Sequence, residues 1–521
     1  MRRIASILAL TALACGGRED FWETYPTAVS AIGLPSGVAV LDPTADRALV
    51  FRPHADGSLL RTTLPIGHGI IATAQSRDQS RVGLLAVGSS DSPRRDEEEK
   101  RPQLTVLEAP VGATPTARVY PLASRHSGLA MDPRGEFAIV HATPNNAQAA
   151  QIAENPNELV FIDLRSGASV TRSLRSFGGR PQRFTFTPPL GLPGGARRLL
   201  LIETEQDLAI VDLEHLDRPE ITVRLTSGQD ARAVRPAGVA YDEGLLERDD
   251  DTRIAIRLQN TSDIVTLTLA PDAAAPTGFT PQLNLADAGG VVTDLAFVQT
   301  DAGLRIAALV PSAAKAILVE PDTSRTIDID LGASFSRLSL SGGDEDATQA
   351  LAAGELALLY GAGASVGFWT FRVAADRPYR TVELLPLPSA VNQVLSVPGA
   401  SNLRVAIGSG NLFVLNLAER SAAPISTQAE SYVYLAPDGG RLWVYRDAGD
   451  QLAQVQTNGA LTQVALQRRM RSVFDVATEG GGRSLLAFDD ANAASLTVLD
   501  ALAPDPAKQV HAAGLLLMDA P

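Results

Sequence analysis

The sequence predicts an all-β fold: a single closed β-propeller of about eight to ten four-stranded blades, with the first blade completed by the C-terminal strand. Three observations predict it. A short strand pattern recurs along the chain, as "QLTVLEAP" from Gln103, "ELVFIDLRSG" from Glu158, "DLAIVDLEH" from Asp207, "NLFVLNLAER" from Asn411 and "SLTVLDALAP" from Ser495. Each copy has strand-like companions, so that units of four short strands recur about every 40–55 residues. Almost no long stretch has the 3.6-residue period of a helix.

Each unit is justified by the same logic. Alternating or unbroken apolar residues followed by Pro, Gly or Asp mark short strands ending in turns. Looser copies of the recurring strand are "DIVTLTLAP" from Asp263, "AILVEPDTSR" from Ala316, "GFWTFRVAAD" from Gly367 and "QLAQVQTNG" from Gln451. Upstream of it lies a second strand, as in "RRLLLIET", "RIAIRLQN" and "RLWVYRDA". Before that comes an inner strand ending in a turn: "HSGLAMDPRG" from His126, "RPAGVAYDEG" from Arg235 and "SYVYLAPDGG" from Ser431. A fourth strand follows, as in "EITVRLTSG" from Glu220 and "RTIDIDLG" from Arg325. Short helices are expected only at 145–152 and 344–353, between strands. Ten units can be traced in this way. The first has "SGVAVLDP", "RALVFRP" and "LLRTTLPIG" but no evident inner strand. "HAAGLLLMDAP" from His511 reads like "HSGLAMDP" from His126, so residues 514–519 are expected to supply the missing strand and close the ring.

The turn "PDGG" at Pro437 and the strand "LVFIDLRSG" make the pattern similar to the YVTN and WD40-like β-propeller repeats of bacterial surface and periplasmic proteins. The resemblance implies the fold and nothing residue-specific about activity.

At the N-terminus, Arg2 and Arg3 precede an apolar run over residues 4–14, too short to span a bilayer, and then Cys15, the one cysteine of the chain. The arrangement resembles a bacterial lipoprotein signal, although Ala12 stands where the usual lipobox has Leu. The resemblance implies cleavage before Cys15, lipidation of that cysteine, and a protein tethered to the membrane through its N-terminal lipid. Gly16 in place of Asp implies an outer-membrane destination in the bacterial cell envelope. A single cysteine leaves no intramolecular disulfide for an exported chain to form. The expected organisation is a signal peptide over 1–14, a lipidated tether over 15–30 and the propeller over 31–521. The net charge of −14 argues against a nucleic-acid partner, because phosphate binding needs a basic surface.

Candidate chemistry is sparse. "GASVG" at 363–367 matches G-x-S-x-G, but it joins two expected strands, whereas a nucleophile elbow needs a strand–turn–helix context. Ser365 is therefore read as part of a tight hairpin. The acidic runs at 96–99, 249–251 and 344–346 lack the spacing of a calcium loop. Six histidines, His54, His68, His126, His141, His215 and His511, show no zinc-site spacing. No catalytic residue, metal ligand or cofactor site is assigned.

Position within the repeat singles out a binding face. Strands alternate in direction, so turns from the second to the third strand and from the fourth to the next first strand share one face. The two longest second-to-third connections, 89–102 and 142–157, are neighbours. The former carries Asp96, Glu97, Glu98 and Glu99. Long loops in a compact repeat are usually functional or disordered. His68 and His126 precede equivalent inner strands, His141 ends a second strand on the same side, and His511 is expected nearby if the ring closes as above. The leading functional expectation is a non-catalytic binding or scaffold propeller for a protein or glycan partner. The alternative is a lactonase-like propeller hydrolase, which a cluster of His, Asp and Arg at the channel mouth would favour; a third expectation is a structural element of a larger envelope complex.

Overall fold

A computed structural model describes residues 30–517, apart from 55, 90–99, 143–154, 175–179, 188, 193–194, 229–233, 242–251, 301–302, 341–355, 362, 371–372, 375–376, 379–380, 398–401, 427–430, 437–440, 456–459, 479 and 492. The strands form ten four-stranded antiparallel sheets. They are numbered here as blades 1–10 in chain order, with strands a to d from first to last. Two small two-stranded ribbons, Leu190–Leu192 with Gly195–Arg197 and Val373–Ala374 with Arg377–Pro378, interrupt blades 4 and 7. The expected hairpin at Ser365 is present: Leu356–Tyr360 pairs with Ser365–Thr370 as strands b and c of blade 7.

Burial explains why the four strands read differently in the sequence. Strands b and c are covered on both faces, as in Gly37–Asp42 and Leu199–Thr204, whose residues are all buried. Such strands read as near-continuous apolar runs. Outer strands keep one face in solvent, and Leu461–Met470 alternates accordingly.

Ten buried apolar clusters join the ten blades, and each spans one pair of neighbours. Leu84 and Leu107 of blade 2 pack on Val50 of blade 1, for example, and Trp369 of blade 7 packs on Leu309 of blade 6. The last cluster joins Phe474, Val476 and Leu486 of blade 10 to Val38, Leu49 and Phe51 of blade 1, which closes the ring. Strand a approaches strand a of the next blade at the junctions of blades 2 and 3, 5 and 6, 6 and 7, and 10 and 1, which places the a strands around the central channel. On the face carrying the a–b turns, Gln79 of blade 2 reaches past Gly33 of blade 1 to accept from the Tyr434 hydroxyl of blade 9, at 3.5 Å.

An arginine at the start of strand b recurs and ties neighbours together on that same face. Arg81 donates to the Gly135 carbonyl of blade 3, at 2.6 Å. Arg198 pairs with Asp132 and Glu136 of blade 3. Arg404 donates to the Leu340 carbonyl of blade 7, at 2.6 Å.

Closure differs from the expectation in one respect. Blade 1 supplies its own inner strand, Ala31–Leu34, paired with Gly37–Asp42. The C-terminal segment adds no strand to it. Val510–Ala513, with His511, is instead strand d of blade 10, paired with Ser495–Asp500. Residues Leu515–Leu517 then form a 3-10 turn, and Leu515 and Leu516 are buried at the junction of blades 10 and 1. The likeness to the stretch after His126 is local: here the leucines are drawn into a core instead of a sheet edge. The short helices expected at 145–152 and 344–353 lie outside the described residues.

Candidate functional site

The face carrying the b–c and d–a turns gathers three polar groups. The first lies between blades 1 and 2. His68, just before Ile70–Gln75, places Nδ1 2.9 Å from the carboxylate of Asp46 in the b–c turn of blade 1. Lys100, at the end of the blade 2 b–c connection, donates to the same carboxylate. The neck of that connection is pinned by the Ser89 amide on the Lys100 carbonyl, at 2.9 Å, and Arg125 of the following d–a turn donates to the Ser89 carbonyl. Asp96, Glu97, Glu98 and Glu99 lie outside the described residues.

The second group is in blade 3. His126 is 2% exposed. Ser124 donates to Glu158 at 2.6 Å and lies 3.2 Å from His126 Nε2, while Nε2 stands 3.6 Å from Glu158. His126 Nδ1 is buried without a hydrogen-bond partner among the described residues. His141 ends strand b (Phe137–His141) opposite Gly128 in strand a. Its ring lies where a side chain at Gly128 would begin. The ring also packs on Phe184 of blade 4, with centroids 4.4 Å apart. Burial pushes both imidazoles below their ordinary value, His141 to about 4. The serine sits between the histidine and the carboxylate, so this is not the order of a nucleophilic triad, in which the histidine bridges the other two.

That depression has a sign. A histidine whose folded value lies below its unfolded value leaves stability intact above the unfolded value of 6.5 and removes it as pH falls toward 4. Across that window His141 is expected to cost on the order of 3 kcal/mol. In urea titrations at about pH 7 and about pH 4.5, His141→Gln should therefore lose less stability on acidification than wild type. Equal losses in the two proteins would remove His141 as the cause.

The third group continues the arc around the channel through blades 4 to 7. Sequence reasoning missed it. Arg183 of strand a opposes Glu203 of strand b in blade 4, with Nη1 3.5 Å from Oε1. In blade 5, Arg257 of strand b opposes Gly238 of strand a and lies across it, Nε 2.7 Å from where a Cβ would be. Asp294 opens blade 6 and accepts the Leu338 amide of blade 7, at 2.9 Å. Arg337 opens blade 7, close enough to act electrostatically on Asp294 and Arg257. Burial pushes the Glu203 and Asp294 carboxyls up, and burial pushes the Arg257 guanidinium down. His141, Glu203 and Arg257 hold equivalent places near the end of strand b, a coincidence that aligning the repeats would have exposed.

Three of the four histidines expected to converge are on this face. His68 and His126 hold equivalent d–a positions, and His126 and His141 are close enough to influence each other. His511 departs from the expectation: on outer strand d of blade 10 it lies 3.1 Å from Thr497, because the C-terminal strand does not enter blade 1. His54 and His215 sit in c–d turns on the other face. Among the described residues no group of three or more His, Cys, Asp or Glu is arranged to hold a metal ion. Cys15 and the acidic runs at 249–251 and 344–346 lie outside the described residues.

The sheet order and the ten inter-blade clusters define a ten-bladed β-propeller with a polar channel mouth. No protein-family description matches the chain, and no curated protein matches it by sequence. Among solved structures it is similar to the dihydro-heme d1 dehydrogenase NirN in complex with DHE, at 11% identity over 79% of this chain and 71% of that one, with a TM-score of 0.41. It is also similar to apo AztD from Citrobacter koseri, at 8% identity over 86% and 96% of the two chains, with a TM-score of 0.40. The WD40 domain of Neurospora crassa Pan2 shares 10% identity over 66% and 89%, with a TM-score of 0.34.

Proposed function

We propose that the chain is a lipid-anchored β-propeller of the bacterial outer membrane that binds a protein or glycan partner, without catalysis, on the face of its b–c and d–a turns. Cys15 carries the lipid and Gly16 directs the sorting. The observation that carries the reading is the grouping of His68, His126 and His141 at turns of one face, beside the two longest b–c connections. Arg125, in the turn entering blade 3, donates to the Ser89 carbonyl at the neck of the first of these connections. The test is affinity capture from native envelope, comparing wild type with a chain in which a short Gly-Ser turn replaces residues 89–102, and with His68→Ala and His126→Ala. Partner recovery should fall several-fold while the fold survives, and unchanged recovery would show that this face is not the site. In the same fractionation, Cys15→Ser should move the protein from membranes to the soluble fraction. Wild type that salt alone washes off membranes would refute the anchor.

A second reading, a lactonase-like hydrolase, is favoured by one observation: the mouth carries His, Asp, Glu and Arg together, with buried groups whose proton affinities are shifted. Such shifts mark acid–base sites as well as structural networks. Lactone turnover by the purified protein, abolished in Glu203→Gln, would establish this reading.

A further inference from the structure

We propose that the arginines at the channel mouth of blades 4 to 7 form a binding site for a small oxyanion, a carboxylate or a phosphate group carried on a small molecule. The site lies on the same face as the proposed partner-binding turns, but its argument requires neither the lipid anchor nor a macromolecular partner.

Arg257 is the hub. Its electrostatic neighbours are Arg183 and Glu203 from blade 4, Asp294 from blade 6 and Arg337 from blade 7. Charged side chains from four blades are thus close enough to act on one guanidinium, although their residues span more than 150 positions of sequence. The missing Cβ of Gly238 lets the Arg257 side chain leave its own strand, cross strand a and present its guanidinium toward the channel. Arg183 and Arg337 are exposed there. A guanidinium offers a planar fork of donors that matches a carboxylate or a phosphate bidentately.

The local acids leave this cluster short of negative charge. Glu203 touches Arg183 only at 3.5 Å. Both oxygens of Asp294 already accept main-chain amides, Oδ1 from Leu295 at 3.1 Å and Oδ2 from Leu338 at 2.9 Å. Among the described residues three guanidiniums therefore face two acids, and burial favours the neutral form of both acids. Arg235 and Glu205, 3.9 Å apart at the rim, cancel one another. An arriving oxyanion would relieve the repulsion that Arg183 and Arg337 exert on Arg257. In a chain of net charge −14, this is a cationic spot in an acidic protein.

The experiment is titration calorimetry of the full purified chain with succinate and, separately, inorganic phosphate at low ionic strength. Saturable binding of at least one is expected. Arg257→Gln should weaken it about ten-fold or more, as loss of a charge-assisted contact does. Gly238→Ala should weaken it as well, since the new methyl displaces Arg257 without removing its charge. The exposed pair Arg183→Gln and Arg337→Gln keeps the test open should Arg257→Gln fail to fold. Arg165→Gln, in a c–d turn on the opposite face, should bind as wild type does. Binding of succinate alone would assign the site to carboxylates, and of phosphate alone to phosphorylated small molecules. No binding of either, or binding that the arginine variants leave unchanged, overturns the site. Partner capture can fail while calorimetry succeeds, and the reverse, so the two readings fall separately.

Discussion

Asp475→Ala is expected to destabilise the protein by about 3–5 kcal/mol, the range seen when one partner of a buried ion pair is removed. Asp475 sits on strand a of blade 10 (Ser472–Ala477), and its side chain is fully buried. Its carboxylate accepts from Arg441 of blade 9 at 2.5 Å, from Arg483 of its own blade at 2.6 Å and from the Trp443 indole of blade 9 at 3.0 Å. The acid therefore joins two blades and pairs with two arginines at once. Alanine removes the shared acceptor but leaves two charges that were desolvated on its account. Asp475→Asn should lie between wild type and alanine, because it keeps the shape and loses the charge. The internal reference is Asp490→Ala. That carboxylate pairs with Arg471 at 2.7 Å, but the arginine side chain is 52% exposed, and such pairs contribute about 0–1 kcal/mol. Denaturant midpoints at constant slope would compare them, and equal losses would refute the bridging role of Asp475.

The two acids also show what a sequence can and cannot disclose. Asp475 stands inside a strand-like run and Asp490 just past the end of another, but nothing local shows that the first holds two arginines in a core. Blade count and strand order were legible for a physical reason. Strands b and c are covered on both faces, so "RRLLLIET" and "RLWVYRDA" carry unbroken apolar centres, and each turn must be punctuated. Inner strands are weaker signals because one side faces the channel. In blade 1 the inner strand is only Ala31–Leu34, four residues with a glycine among them, and it was missed. The histidines of blade 3 were legible from their place in the repeat. The arginine arc was not, since Arg183, Arg257 and Arg337 share no spacing and become neighbours only when the ring closes.

Ring closure is where local likeness misled, and it sets the second large expected effect. Leu515→Ala should cost about 2–5 kcal/mol, the range for truncating a buried leucine, whereas Leu517→Ala should change stability by less than about 0.5 kcal/mol. The two residues share one 3-10 turn, but Leu515 is fully buried and Leu517 is 56% exposed. Leu515 and Leu516 enter the cluster formed by Val38, Val40, Leu49 and Phe51 of blade 1 with Leu486 and Leu496 of blade 10. Their amides donate to the carbonyls of Ala494 and Ala493, and Arg47 of blade 1 donates to the Leu516 carbonyl at 2.9 Å. The C-terminus thus seals the junction with side chains, not with a strand. A chain ending at Ala513 should accordingly melt earlier yet not aggregate, because blade 1 retains all four strands and no new sheet edge is exposed. Aggregation of that truncated chain under native conditions would mean that the segment covers a strand edge after all. Equal stabilities for the two leucine variants would mean that it seals nothing.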